Sequence, residues 1–350
     1  MEKINRENIA GALHIGSSRV SACIAKLDAS GTVSIIGLGK AEGKLMGKKG
    51  VLDLDAMSSA MRASLKMAEV EAGAEVNKAF VSISGANITS EKGRGMVKLG
   101  RKGEEIFNRH VKNAVKVAEA VPLSLEKEII HSIPQSFAVD GQNGIKNPIG
   151  LYGVKLEVEA LIIAVDMPFL QNIIKCLNMA GIELEDAVFS GIATARCVFP
   201  KERDAGGIVL IEADSNFTAL SIFFDNILRG VDVYDKNIFQ EGALEYLRDA
   251  TDRVRGTRPI SKIIITGSSF LPEEIIERLE TVFRVPSEIG YSRRMKGSAK
   301  DINNPAHITS MGLAMYGLKM RLAALPPAGS KLGFFHKIVG RLKALFNDYF

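Results

Sequence analysis

Two short polar turns hold the residues whose types and spacing could carry chemistry. One is Gly16-Ser17-Ser18, set directly behind the apolar positions Leu13 and Ile15. The other is Glu212-Ala213-Asp214-Ser215-Asn216, behind the run Ile208 to Ile211. Glu212 and Asp214 are the candidates for positioning a water or a substrate, with Gly16, Ser17 and Ser18 as their opposite number. The competing reading is two solvated turns with no reaction between them. The pattern gives no metal site: His110, His131 and His307 have no companions at ligand spacing. Cys23, Cys176 and Cys197 are widely spaced and odd in number, which fits buried thiols in a reducing compartment.

A different chemistry, that of a surface, is written in GFFHKIVGRLKALFNDYF, residues 333 to 350. On a helical wheel of about 100° per residue, Phe334, Phe335, Ile338, Val339, Leu345, Phe346, Tyr349 and Phe350 all fall within roughly 80° of Leu342. His336, Lys337, Gly340, Arg341, Lys343, Ala344, Asn347 and Asp348 all fall outside that arc. The net charge of +5 concentrates here: Lys331, Lys337, Arg341 and Lys343 against Asp348 put +3 in the last twenty residues and leave +2 for the other 330. A basic amphipathic segment of this kind points to an anionic membrane surface before it points to nucleic acid. The basic loop Ser292 to Lys300 lacks the interleaved aromatics that base stacking uses and reads as a solvated face.

With 46% hydrophobic and 24% charged residues the composition is that of a globular protein, and 350 residues suffice for two domains. No apolar run approaches the ~18 residues of a spanning helix. The polar opening MEKINRENIA is not that of a signal peptide.

The elements that must position the turns repeat. From Gly11 the chain reads as three strands with tight turns, Leu13 and Ile15, then Val20, Ala22 and Ile24 alternating as a pleat requires. A helix is predicted from Leu54 to Ala72, with Asp53 as N-cap and Gly73 at its end, followed by the strand KAFVSISG. Near residue 207, about 198 positions on, three strands recur, then helix, strand and helix: two copies of a βββαβα unit. Between them, about residues 86 to 165, lies an insert with a strand near Met96, a helix predicted from Glu104 to Val121, and strands broken by Gly, Asn and Pro turns. ALPPAGSKLG forms a linker before the amphipathic segment.

The string IPQSFAVDGQNGIKNPIGLYGV, Ile133 to Val154, closely resembles the signature of the inserted subdomain in the FtsA family of bacterial cell-division proteins, members of the actin-like superfamily. So do LHIGSSRV at the first turn, VFSGIATARCV before the second copy, IIITGSS on the adenosine-side strand, ITSMGLAMYG in the last core helix, and the amphipathic tail. The resemblance implies an α/β fold of duplicated actin-like (ribonuclease H-like) lobes with an inserted α+β (SHS2-like) subdomain and a C-terminal amphipathic helix. It implies a first lobe at 1–85, an assembly subdomain at 86–165 and a second lobe at 166–323 without its outer subdomain. The linker at 324–333 and the membrane helix at 334–350 complete the division. It also implies ATP with magnesium between the turns, self-assembly into polymers, and attachment of the tubulin-like ring protein FtsZ, or of other divisome proteins, to the cytoplasmic face of the inner membrane at the division site. Nucleotide contacts carried over residue by residue are Gly16, Ser17, Ser18, Glu212, Asp214, Ser215, Asn216, Gly267 and Ser268. The membrane contacts are Phe334, Phe335, Ile338, Val339, Leu342, Leu345, Phe346, Tyr349 and Phe350, with Lys337, Arg341 and Lys343.

The departures from the family pattern fall on both turns. Where the family has an acidic residue and a glycine run, which lets backbone amides approach phosphate, this chain has Glu212 to Asn216, and Asp214 adds a negative charge. The family's acidic residue at the first turn is His14 here. Only about thirty residues, Val231 to Ile260, stand where the family spends an outer subdomain. The expectation is therefore an adaptor with no catalytic residue, no metal site and a vestigial nucleotide cleft. The alternatives are an actin-like ATPase or kinase using Glu212 or Asp214, and a PilM-like scaffold of a pilus or secretion machine.

Overall fold

The computed structural model describes residues 8–28, 31–47, 50–200, 206–267, 274–293 and 296–324. The linker from 325 onward and the whole amphipathic segment lie outside them. In chain order the elements are β1 (Ile9–Ile15), β2 (Arg19–Leu27), β3 (Val33–Glu42), α1 (Leu54–Ala72), β4 (Lys78–Ile83), β5 (Ile88–Lys98), α2 (Asn108–Ala118), β6 (Lys127–Val139), β7 (Gln142–Ile145) and β8 (Lys155–Asp166). They continue with α3 (Met167–Met179), β9 (Glu183–Phe189), α4 (Ser190–Val198), β10 (Gly207–Ala213), β11 (Thr218–Phe224), β12 (Ile227–Tyr234), α5 (Ala243–Arg255), β13 (Ile260–Gly267), α6 (Glu274–Phe283), β14 (Ser287–Ile289) and α7 (Ile308–Ala324).

Two sheets repeat one topology. The first has the order β9-β4-β1-β2-β3, extended at its edge by Lys296–Gly297, and the second the order β12-β11-β10-β13-β14. In each, the first three strands form an antiparallel meander while the fourth and fifth run parallel to the first. β10 and β11 are buried along their whole length. Apolar residues therefore fill both faces of these strands, with Glu212, Thr218 and Ser221 as buried polar exceptions, because helices cover both faces.

The insert is a separate four-stranded antiparallel sheet, β7-β6-β8-β5, with α2 packed on one face around Ile106, Val115, Phe137 and Ile162. Its helix is shorter than the Glu104–Val121 span that the sequence predicts. Gly103 closes a turn at φ +80°, and Glu104 and Glu105 pair with Gly153 and Tyr152. Helix α2 starts only after Phe107, whose N–H donates to Nδ1 of His110 at 3.2 Å.

The boundary expected at residue 166 needs correction. β9 pairs with β4 in the first sheet, so that lobe is interrupted by the insert and resumes at α3. The chain returns to it once more: Met311, Leu313, Ala314, Tyr316 and Leu318 of α7 lie in the same core as β1, β2 and α1. Parallel strands must be joined by crossovers, so neighbours in a sheet need not be neighbours in sequence.

The described structure is thus α/β, with two actin-like lobes and an inserted α+β subdomain. Helices α4 and α7 stand between the two sheets, and the meander turns after β1 and β10 face each other across a cleft.

Candidate functional site

The first turn is tight: the Gly16 N–H donates to Arg19 O at 2.8 Å. The Ser17 carbonyl accepts from the Leu45 and Met46 amides at 3.0 and 3.1 Å. On the second, the Asp214 N–H donates to Phe217 O at 3.0 Å, and Asn237 Nδ2 donates to Asp214 O at 3.0 Å. Both central residues are buried, Ser17 at 3% and Asp214 at 4% exposure. Ser18 and Ser215 stand exposed on the rim.

The turns touch. Asp214 Oδ2 accepts the Ser17 N–H at 3.1 Å, while its Oδ1 accepts the Asn216 N–H of its own turn at 3.1 Å. Asn216 Nδ2 crosses in the other direction to Met46 O at 2.9 Å. Phe217 lies against Gly85, close enough that a Cβ there would meet its ring at 3.3 Å. What remains between the jaws is a cavity of about 20 Å3 lined by Ser17, Met46, Ser84, Gly85, Asn216 and Phe217. That is room for a water.

Glu212 does not join this cluster. Its Oε2 accepts from Ser190 Oγ and its Oε1 from Thr194 Oγ1, both at 2.8 Å, so the carboxyl is tied to α4. Burial, opposed by these two hydroxyl donors, pushes it up to about 7. Gly267 sits behind the site at the end of β13, where a Cβ would come within 1.8 Å of Ala213 O. Its glycine is accounted for by backbone packing. Ser268 lies outside the described residues. His14 Nδ1 is 2.7 Å from Ser82 Oγ, and burial lowers the imidazole to about 4.

Sequence reasoning missed Ser190, Thr194 and Asn237. The first two are one helical turn apart in VFSGIATARCV, a spacing that puts them on one face, but nothing there names Glu212 as their acceptor.

The family profile described as the SHS2 domain inserted in FTSA matches residues 85–164, the segment between β4 and α3. The cell division protein FtsA of Borreliella burgdorferi is 24% identical across 97% of this chain and 98% of its own length. The chain is similar to FtsA along almost its whole length. The Pseudomonas aeruginosa FtsA is 23% identical over 91% of both chains, and that of Escherichia coli 28% identical over 65% of this chain and 54% of its own. Among solved structures, the PilM-PilN type IV pilus biogenesis complex includes a chain with a TM-score of 0.66 at 12% identity, covering 88% of this chain and 98% of that one. That likeness concerns the fold.

The Borreliella alignment runs over 407 positions although 97% of this chain is only about 340 residues, so that FtsA carries roughly 67 residues that this chain skips. The single helix α5 between β12 and β13 matches such a shortening.

ATP and magnesium are the ligands this fold implies, and the residues present do not fit them. The Ser17 amide that a phosphate oxygen would take is already given to Asp214, and the carboxylate would oppose a polyphosphate at contact distance. A neutral imidazole stands where the family has an acid, and magnesium takes hard oxygen ligands.

Glu212 gives a pH signature. Because its folded-state value lies above the unfolded 4.5, the folded state binds the extra proton. Its contribution is therefore most favourable below pH 4.5, is lost as pH rises to about 7, and is constant above. Glu212→Gln should match the original near pH 5 and exceed it at pH 8 by as much as ~3 kcal/mol in urea unfolding. A stability difference that does not change with pH would refute the assignment. His14 and His307, both lowered to about 4 by burial, cost stability as pH falls below 6.5, equally in both proteins.

Proposed function

We propose that this FtsA-like chain is a membrane-associated, actin-like adaptor of bacterial cell division. It tethers FtsZ, or proteins that assemble with FtsZ, to anionic lipid on the cytoplasmic face of the inner membrane at the division site. The observation that carries the reading is the match of residues 85–164 to the domain inserted in FtsA, seated in a chain that aligns with FtsA almost from end to end. The insert at 86–165 is the self-assembly unit and residues 334–350 are the membrane helix, by the partition of their apolar and basic positions. Among the described residues no helix is long and apolar enough to cross a membrane. The adaptor does not turn over ATP; the contact of Asp214 with Ser17 supports this part of the reading.

The test is flotation. Polymers of the host's FtsZ mixed with anionic vesicles should stay at the bottom of a density gradient, and should rise with the vesicles when this chain is added. FtsZ left behind while the chain itself floats would remove FtsZ as the direct partner. A chain that does not float would remove the anchor.

A further inference from the structure

We propose that Asp214 is a built-in substitute for a nucleotide phosphate: a tethered anion that closes the two actin-like lobes on each other, so that the chain holds its closed form without nucleotide. The two carboxylate oxygens divide their work as two oxygens of a bound phosphate would. Oδ2 takes an amide of the first lobe, Ser17 N–H at 3.1 Å, and Oδ1 takes an amide of the second, Asn216 N–H at 3.1 Å. Successive backbone N–H groups in a turn form an anion-binding concavity, and here the anion is supplied by the chain.

The rest of the turn is arranged to keep it there. Asn237 Nδ2 holds the Asp214 carbonyl from behind at 3.0 Å. Asn216 Nδ2 reaches Met46 O in the opposite lobe at 2.9 Å, and Phe217 packs on Gly85. The polar contacts that cross the cleft at this turn thus run in both directions. With Ser17 and Asp214 at 3% and 4% exposure, the charge-assisted hydrogen bond is shielded from water and stronger than a neutral one. A free phosphate has to outcompete an intramolecular carboxylate, whose effective concentration is high because its turn is already fixed. An actin-like protein that uses ATP as its clasp is stabilised by ATP through mass action; this one carries the clasp in its sequence.

The experiment uses the full chain, its Asp214→Gly and Asp214→Asn variants, and Mg-ATP and inorganic pyrophosphate as probes. Melting temperature and amide exchange of the segment around Ser17 are read in each. In the original chain neither probe should shift the melting temperature at millimolar concentration, and the Ser17 amide should exchange slowly. Asp214→Gly should melt several degrees lower, expose the Ser17 amide, and regain part of the loss saturably with pyrophosphate or Mg-ATP, because both amides are now free for an anion. Asp214→Asn, which keeps an acceptor oxygen and loses the charge, should fall less and respond less. Saturable stabilisation of the original chain by Mg-ATP would overturn the proposal. So would an Asp214→Gly protein that melts and exchanges like the original, or one that is destabilised yet unmoved by either phosphate. None of these readouts involves vesicles or FtsZ, so a failure here is separable from a failure of the adaptor reading.

Discussion

Gly312→Ala is expected to destabilise the protein by about 1 to 2 kcal/mol although it places the best helix former in the middle of a helix. Gly312 lies in α7 where that helix crosses α4, and a Cβ added there would come within 1.9 Å of Ala193 O and 2.8 Å of Ala193 C. Those are backbone atoms, so relief requires α4 to move as a body. In a free helix the substitution gains about 1 kcal/mol; overpacking a fixed crossing costs ~1 to 3 kcal/mol and occasionally more. The shift also reaches the site. Thr194 on α4 donates to Glu212 and shares a hydrogen bond of 2.9 Å with Thr309 of α7, so separating the helices loosens the carboxyl that they hold.

Gly317→Ala, on the same helix, is the control. There the added Cβ meets the Phe80 ring at 2.4 Å, and a buried ring packed on Tyr316 can shift with less disruption than a helix backbone that must move as a body. Urea unfolding should show the Gly312 variant losing clearly more stability than the Gly317 variant. Equal losses would mean that the approach of α4 to α7 is not what Gly312 is for.

The elements that read correctly from sequence are those whose signals are local. Helix α1 runs from Leu54 to Ala72 as predicted: Asp53 accepts the Asp55 and Ala56 amides at its start, and Gly73 ends it in the left-handed region at φ +62°. The meanders after Gly11 and Gly207 were legible because each turn follows directly on its strand. Tertiary choices were not. β9 was not read as an element from the sequence, and nothing local says that it pairs with β4, about a hundred residues earlier, across an intervening domain.

The site shows the same division. Glu212 and Asp214 are two apart, and period-two alternation puts such a pair on one face of a strand. But β10 ends at Ala213, so Asp214 is already in the turn and faces Ser17, while Glu212 faces α4. The charge of Asp214 was readable from the sequence as a burden on phosphate binding. Its contact with an amide 197 positions away was not, since no local pattern encodes a pairing between two loops.

Leu342→Glu should abolish sedimentation of the full chain with anionic vesicles while leaving its melting temperature unchanged. Leu342 is the centre of the apolar arc of residues 334 to 350. Nine apolar side chains at partial burial, at ~0.5 to 1 kcal/mol each, contribute about 5 to 9 kcal/mol. Lys337, Arg341 and Lys343 near anionic lipid add about 1 kcal/mol each. On the proposed anchoring, ordering the segment as a helix would consume much of that sum, so one chain should bind reversibly and an assembly of chains firmly by multiplying attachments. Against so small a surplus, forcing a carboxylate into the acyl boundary, at a cost of several kcal/mol, removes the binding. Gly340→Glu, on the opposite face of the wheel, should weaken binding only through charge, by a margin that narrows as salt is raised. Lys337→Ala with Arg341→Ala should weaken binding to anionic vesicles most at low salt and progressively less as salt is raised, and leave neutral vesicles unaffected. Should residues 334 to 350 instead cover the protein's own core, Leu342→Glu would lower the melting temperature by several degrees and the unaltered chain would not sediment with vesicles. That pair of results would remove the anchor, and with it the route by which this chain could hold a division polymer against a membrane.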